Sequence, residues 1–188
     1  MIVRHEQPAD RPRILELVAA AFAAPVDNAA DAREPGGGPR TEPLEVGLLQ
    51  QLFDGADYLP ALSLVAVRDG TVAGHVICTR AWIDGFRAVG LGPLAVSPDA
   101  QGQGVGKSLM ETVIAGAEAA GEPAIVLLGS TGYYPRFGFV PASALGIEAP
   151  DSAWGDHFMA LALGSFHAGI RGAFRYAEPF NNLRGQKT

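Results

Sequence analysis

Hydrophobic residues change their period several times along this chain, and each change predicts an element. Ile2 to Glu6 reads as a short strand. Pro8-Ala9-Asp10 then leads into Arg13 to Phe22, where Ile14, Leu17, Val18, Ala21 and Phe22 recur at helical spacing behind a candidate N-cap at Asp10. Leu44 to Phe53 predicts a second helix. Leu62 to Arg68 and Thr71 to Ile83 predict strands joined at Asp69-Gly70, a strong hairpin-turn signal, and Asp84-Gly85 marks a second hairpin. Val89 to Val96 and Ala124 to Leu128 are near-continuous apolar runs, as in strands covered on both faces. Between them, Leu109, Met110, Val113, Ile114 and Ala117 make one stripe of a helix from about Lys107 to Ala120, with Gly121 at its stop. Tyr133 to Phe137 predicts a short helix, Phe158 to Leu163 a late strand and Phe174 to Ala177 a last one.

Strand, two helices, a run of antiparallel strands and then strand-helix-strand is the order of an α/β (α+β) chain, with a mixed sheet and helices on both faces. The 188 residues suit one domain, 1–188, with no internal repeat or linker. Residues 25–43 include Pro35-Gly36-Gly37-Gly38-Pro39, which holds neither helix nor central strand, so a flexible loop is expected there, either a plain surface loop or a lid. Residues 184–188 read as a frayed tail.

Composition narrows the function classes. No apolar run approaches a membrane span, and the chain meets charge at Arg4 with no secretory pattern. A single cysteine, Cys78, excludes an internal disulfide framework, and together these points lead us to expect a cytoplasmic protein. Net charge is −6, against the basic face that nucleic-acid binding requires. His5, His75, His157 and His167 lie scattered without zinc-ligand spacing, so no metal site is expected.

Candidate chemistry concentrates where a buried strand feeds a glycine-rich turn that opens an amphipathic helix: Leu94-Ala95-Val96-Ser97-Pro98-Asp99-Ala100-Gln101-Gly102-Gln103-Gly104-Val105-Gly106-Lys107-Ser108. Glycines let a backbone approach a ligand closely, and the free N–H groups of a helix start attract anions, so a phosphate-type group is expected here. The nucleotide P-loop needs Gly-x-x-x-x-Gly-Lys-Ser/Thr; Gly106-Lys107-Ser108 fits its end, but Gln101 stands where its first glycine belongs. The dinucleotide fingerprint also misses, since Lys107 occupies its third glycine position.

A third pattern, Gln/Arg-x-x-Gly-x-Gly/Ala, fits Gln101 to Gly106 without exception, and here the chain resembles the GNAT superfamily of N-acetyltransferases. The flanks, Leu94-Ala95-Val96-Ser97-Pro98 before the loop and Tyr134-Pro135-Arg136-Phe137-Gly138-Phe139 after the next strand, extend the resemblance over residues 2–163. It implies a mostly antiparallel sheet of about six to seven strands and acetyl-CoA as cosubstrate. It implies pyrophosphate binding by the backbone amides of Gln103, Gly104, Val105, Gly106 and Lys107 within a loop opened by Gln101 and Gly102, with Ser108 adding its hydroxyl. It also implies that Leu94, Ala95 and Val96 pair with the pantetheine arm, the Leu94 N–H facing the thioester oxygen. Tyr134 would be the acid that protonates the leaving thiolate, with Tyr133 the adjacent rival.

Other readings compete at each point. Val89-Gly90-Leu91-Gly92-Pro93-Leu94 carries no acid where some members of the superfamily place a base, which leaves a water relay or a neighbouring strand to supply one. His75 is a candidate base but more simply a core or surface histidine; turn chemistry accounts for Asp84, and Cys78 reads as a small buried residue. Trp154, Phe158 and Tyr176 line a pocket or fill the core. The expected acceptor is an amine, on a small molecule or a protein, and the fold's exposed sheet edges admit a homodimer. The alternatives are a non-catalytic acyl-CoA sensor and a P-loop-like nucleotide-binding protein.

Overall fold

The structure, a computed structural model, describes residues 1–23 and 43–182; the loop expected at 25–43 and the tail expected at 184–188 lie outside this range, apart from Pro43. The strands are β1 (Ile2–His5), β2 (Leu64–Arg68), β3 (Thr71–Ile83), β4 (Phe86–Val96), β5 (Ala124–Leu128), β6 (Val140–Pro141), β7 (Ile147–Glu148), β8 (Phe158–Ala162) and β9 (Gly172–Arg175). The helices are α1 (Arg11–Phe22), α2 (Leu44–Asp54), α3 (Val105–Ala119) and the short α4 (Pro179–Asn182). The sheet runs β1-β2-β3-β4-β5-β8-β6, with β9 on the far end of β3 and β7 on β9. Pairings on the main path are antiparallel except β4 with β5. The nine strands among the described residues exceed the six to seven expected because β6 and β7 are two-residue pieces too short to leave a periodic signal.

Each hairpin forms where the turn dipeptide allows positive φ: Asp69 and Gly70 at 50° and 77°, Asp84 and Gly85 at 43° and 90°. Helices cover both faces, as the element order implied. Ile14, Leu17 and Val18 of α1 and Val46, Leu49 and Leu52 of α2 pack with Val65 and Ile77 on one face. Leu109, Met110 and Val113 of α3 pack with Val76, Cys78, Leu91 and Ile125 on the other. The α3 face seats unusually close to β3 because Gly74 carries no side chain: a Cβ there would lie 2.7 Å from Val105 and 2.9 Å from Leu109. The start of α3 is thereby held directly over the sheet.

The feature that shapes the molecule is the contact between β4 and β5. Their parallel ladder comprises two pairs, Val89 with Ile125 and Gly90 with Val126. Beyond Gly90 the strands part, and β4 continues to Val96 paired to β3 alone. A register shift, with Val76 opposite Leu94 and Cys78 opposite Leu91, leaves Gly92 and Pro93 facing Ile77 alone, a β-bulge that bends β4 just past the parting point. The closed end is fastened by Arg80 of β3. Its guanidinium makes two hydrogen bonds of 2.7 and 2.6 Å to Glu122, two residues before β5, and a third of 3.1 Å to Ala88 O of β4. Both side chains are largely shielded, and the pairing holds the arginine charged. Replacing Glu122 by Gln removes the charge but keeps the shape; we expect the unfolding free energy to fall by on the order of 2 kcal/mol, read by urea denaturation.

Candidate functional site

The glycine loop lies at the open end of the parting strands. A one-turn helix, Pro98–Ala100, follows Val96, and the chain then passes through Gly102 and Gly104 at φ 72° and 84° before α3 begins at Val105. Those two left-handed positions are why glycine stands there, since any other residue would pay steric strain. Helix α3 starts two residues earlier than the apolar stripe suggested, because Val105-Gly106 carries a weak helix signal. Gly104 is its N-cap and offers no side-chain cap; the first hydrogen bond into the helix runs from Ser108 N–H to Gly104 O at 3.0 Å. The amides of Gln103 to Lys107 therefore precede the helical ladder, and the positive end of the helix dipole faces outward.

Side chains brace the loop while its backbone stays open. The Gln101 amide donates to Val96 O at 3.2 Å and the Gln103 amide to Asp99 O at 2.7 Å, while Arg68 at the end of β2 donates to Gln103 Oε1. Arg68 was not singled out in the sequence, where it reads only as the residue before a hairpin turn; in the fold it brings a cation to the rim of the glycine loop. Lys107 turns away along the helix to Glu111, 2.7 Å distant, instead of toward the loop as a P-loop lysine would.

The two candidate tyrosines take different places. Tyr133 Oη lies over the first turn of α3, so close that a Cβ on Gly106 would sit 2.8 Å from it, and Arg136 stacks on its ring at 4.8 Å. Tyr134 lies deeper. Its ring packs against Gly129, where a Cβ would clash with Tyr134 Cε2, and makes edge contacts with Tyr133 and Phe139. Burial pushes the Tyr134 phenol up to about 12, helped by Tyr133, and burial also raises Tyr133 against the pull of Arg136. His157, one of the scattered histidines, joins this end of β5: its Nδ1 donates to Gly129 O at 3.0 Å, which leaves Nε2 as the free nitrogen.

Leu94 and Val96 pack toward the α3 core while Ala95 is buried on the other face. His75, opposite Ala95, is fully buried; its Nε2 lies 3.1 Å from Glu6, whose other oxygen accepts from Arg11 at 3.1 Å, and its Nδ1 has no partner. Burial lowers the imidazole from its ordinary value against the opposing pull of Glu6. Cys78 is buried and burial pushes its thiol up, which disfavours the thiolate that a covalent route would need. Trp154, Phe158 and Tyr176 join one aromatic cluster with Phe174 and Phe180, a core rather than an open cleft. Among the described residues no group of His, Cys, Asp or Glu is arranged to hold a metal, and no helix is long and apolar enough to cross a membrane.

The model of the acetyltransferase (GNAT) family matches residues 29–139 of this chain. The chain belongs to that family. It is 36% identical over 143 residues to the uncharacterized N-acetyltransferase YjhQ of Escherichia coli, covering 72% of this chain and 79% of that one. It is 30% identical to YhbS of the same organism across 97% of this chain and all of the relative. The YhbS crystal structure, in complex with CoA, superposes with a TM-score of 0.78 at 28% identity, covering 96% and 91% of the two chains. A GNAT acetyltransferase from Brucella melitensis, in complex with acetyl-CoA, superposes at 0.70 and 30% identity over 95% and 97%. This GNAT chain is thus an acetyl-CoA-dependent N-acetyltransferase by membership, and the uncapped helix start and the parted strands are its own.

Two measurements bear on the site. Gly104→Ala puts a Cβ at a left-handed position in the glycine loop, and we expect about 1–2 kcal/mol of destabilisation by urea titration together with weaker thermal protection by coenzyme A. For His75, an unfolded imidazole titrates near 6.5 and the folded one lower, so its contribution to stability is complete above that value and is lost as the pH falls below it. The wild type should lose stability more steeply than His75→Gln between about pH 7 and pH 5, measured by urea unfolding at each pH.

Proposed function

We propose that this chain binds acetyl-CoA with its pyrophosphate on the backbone amides of Gln103, Gly104, Val105, Gly106 and Lys107 and its pantetheine arm along Leu94–Val96, and passes the acetyl group directly to a primary amine. The observation that carries the reading is the conjunction of an uncapped α3 start with a β4 edge that has no strand neighbour beyond Gly90. The anion site anchors one end of an elongated ligand, and the vacant strand edge supplies hydrogen-bonding groups for an amide-bearing arm. Arg68 and Ser108 add polar contacts at the rim.

In the reaction the amine lone pair attacks the thioester carbonyl, a C–N bond forms and the C–S bond breaks. The Leu94 N–H is assigned to the developing oxyanion and Tyr134 Oη to the departing thiolate. A phenol raised to about 12 stays protonated at every working pH, so the acid is always loaded. β4 carries no carboxylate, so the proton lost by the amine leaves through water or to an acidic group outside β4. Cys78, buried and held as a thiol, is not on the route, and proximity within a ternary complex supplies much of the rate.

Tyr134→Phe tests the enzymatic reading against a sensor that only holds the cofactor. We expect thiol release to fall about 10²-fold while coenzyme A still raises the melting temperature as in the wild type. Stabilisation by magnesium-ATP in place of coenzyme A would overturn the reading.

A further inference from the structure

A cavity of about 280 Å³ lies on the α2 side of β3, between the end of α2 and the chain leaving β9. That is room for about nine waters, the size of a small organic molecule. Leu52 and Ala177 make its walls apolar, and Asp57, Tyr58 and Glu178 line it together with Thr79. Thr79 is 1% exposed, and its Oγ1 has no hydrogen-bond partner. A buried hydroxyl left unpaired in a folded chain asks for a ligand atom or a water.

Of the described residues, Arg80 feels the charge of Asp57, which helps to hold the guanidinium charged. Among the described residues no lysine or arginine lines the cavity. Arg80, next along β3, is committed to Glu122 and Ala88 O, and Arg11 is committed to Glu6 while stacking over Phe53 at 4.5 Å. Two carboxylates over apolar walls suit an organic cation, whereas a metal ion would want a denser donor set, and no such set is found among the described residues. Its location matters as well. Thr79 pairs with Gly90, and Gly90 is the last β4 residue paired with β5, so the cavity floor is one strand away from the point where β4 and β5 part.

We propose that this cavity binds the acceptor as a small organic ammonium, with its charge between Asp57 and Glu178, an N–H donated to Thr79 Oγ1, and its carbon skeleton against Leu52 and Ala177. The word acceptor rests on the N-acetyltransferase reading above; the cation site itself rests on the cavity. The test uses the full chain saturated with coenzyme A and two probes of equal shape, 2-phenylethylamine and its neutral isostere 2-phenylethanol, followed by calorimetric titration near neutral pH. We expect saturable binding of the amine, at least about tenfold tighter than the alcohol. Asp57→Asn with Glu178→Gln should remove that preference, and Thr79→Val should weaken the amine about threefold, with coenzyme A protection unchanged in each. The comparison of the two probes on the wild type needs no variant to fold. Equal binding of amine and alcohol, no saturable amine binding, or unchanged amine binding in the double variant each overturns the site. Thiol release from acetyl-CoA, measured in parallel samples that hold acetyl-CoA in place of coenzyme A, separates the two readings. Charge-selective amine binding without acetyl transfer sinks the enzymatic reading and leaves the site. Transfer with an unchanged amine KM in the double variant sinks the site alone.

Discussion

Two residue pairs hold β4 to β5, and most of what is distinctive in this chain follows from how short that ladder is. A longer ladder would close the sheet and bury the edge of β4; none at all would let β5, β8 and β6 come away as a separate body. The contact stays this short because the Gly92-Pro93 bulge turns β4 aside, and it stays this strong because Arg80 reaches across β4 to Glu122. One element bends the strand away and the other ties its base, so the gap has a fixed root and an open mouth. Helix α3 can then aim its first turn at the mouth because Gly74 lets it settle against β3.

The two faces of the sheet divide the labour. The α3 face is almost wholly apolar and serves as the rigid seat of the glycine loop. The α1 and α2 face holds a group of buried polar side chains apart from the Arg80–Glu122 clasp: Glu6 with His75 and Arg11, Tyr58 beside them, and Thr79 further along β3. Polar groups without complete partners are costly in a core, and their gathering on one face, near the parting point, marks it as the side with chemistry still to satisfy. The reactive-looking Cys78, by contrast, lies within the apolar seat and is silent.

Much of this was legible in the chain itself. The loop was readable because left-handed turns demand glycine, and Gly102 and Gly104 stand where φ is positive. The β2–β3 hairpin was readable from Asp69-Gly70, and α3 from its stripe. What escaped notice depends on distance. Arg80 and Glu122 are 42 residues apart and carry no mutual signal. The cavity joins α2, β3 and residues after β9, three segments that meet only in the fold. Tyr133 and Tyr134 are neighbours in sequence, yet the turn sends one hydroxyl over α3 and buries the other ring under Phe139. Strand β4 begins at Phe86, three residues before its apolar run, because Phe86 and Arg87 are exposed and so break the pattern of burial without breaking the ladder.

The Arg80 clasp also sets the mechanics of the gap. Residues beside the clasp can rotate but scarcely translate, so the base of β5 acts as a fulcrum and the far end near Leu128 as the tip of a lever. Small angular play at the root becomes a larger change in width at the mouth, and least at the level of Gly90. Any breathing of the molecule therefore widens the entrance near the glycine loop most and the level of Gly90 least.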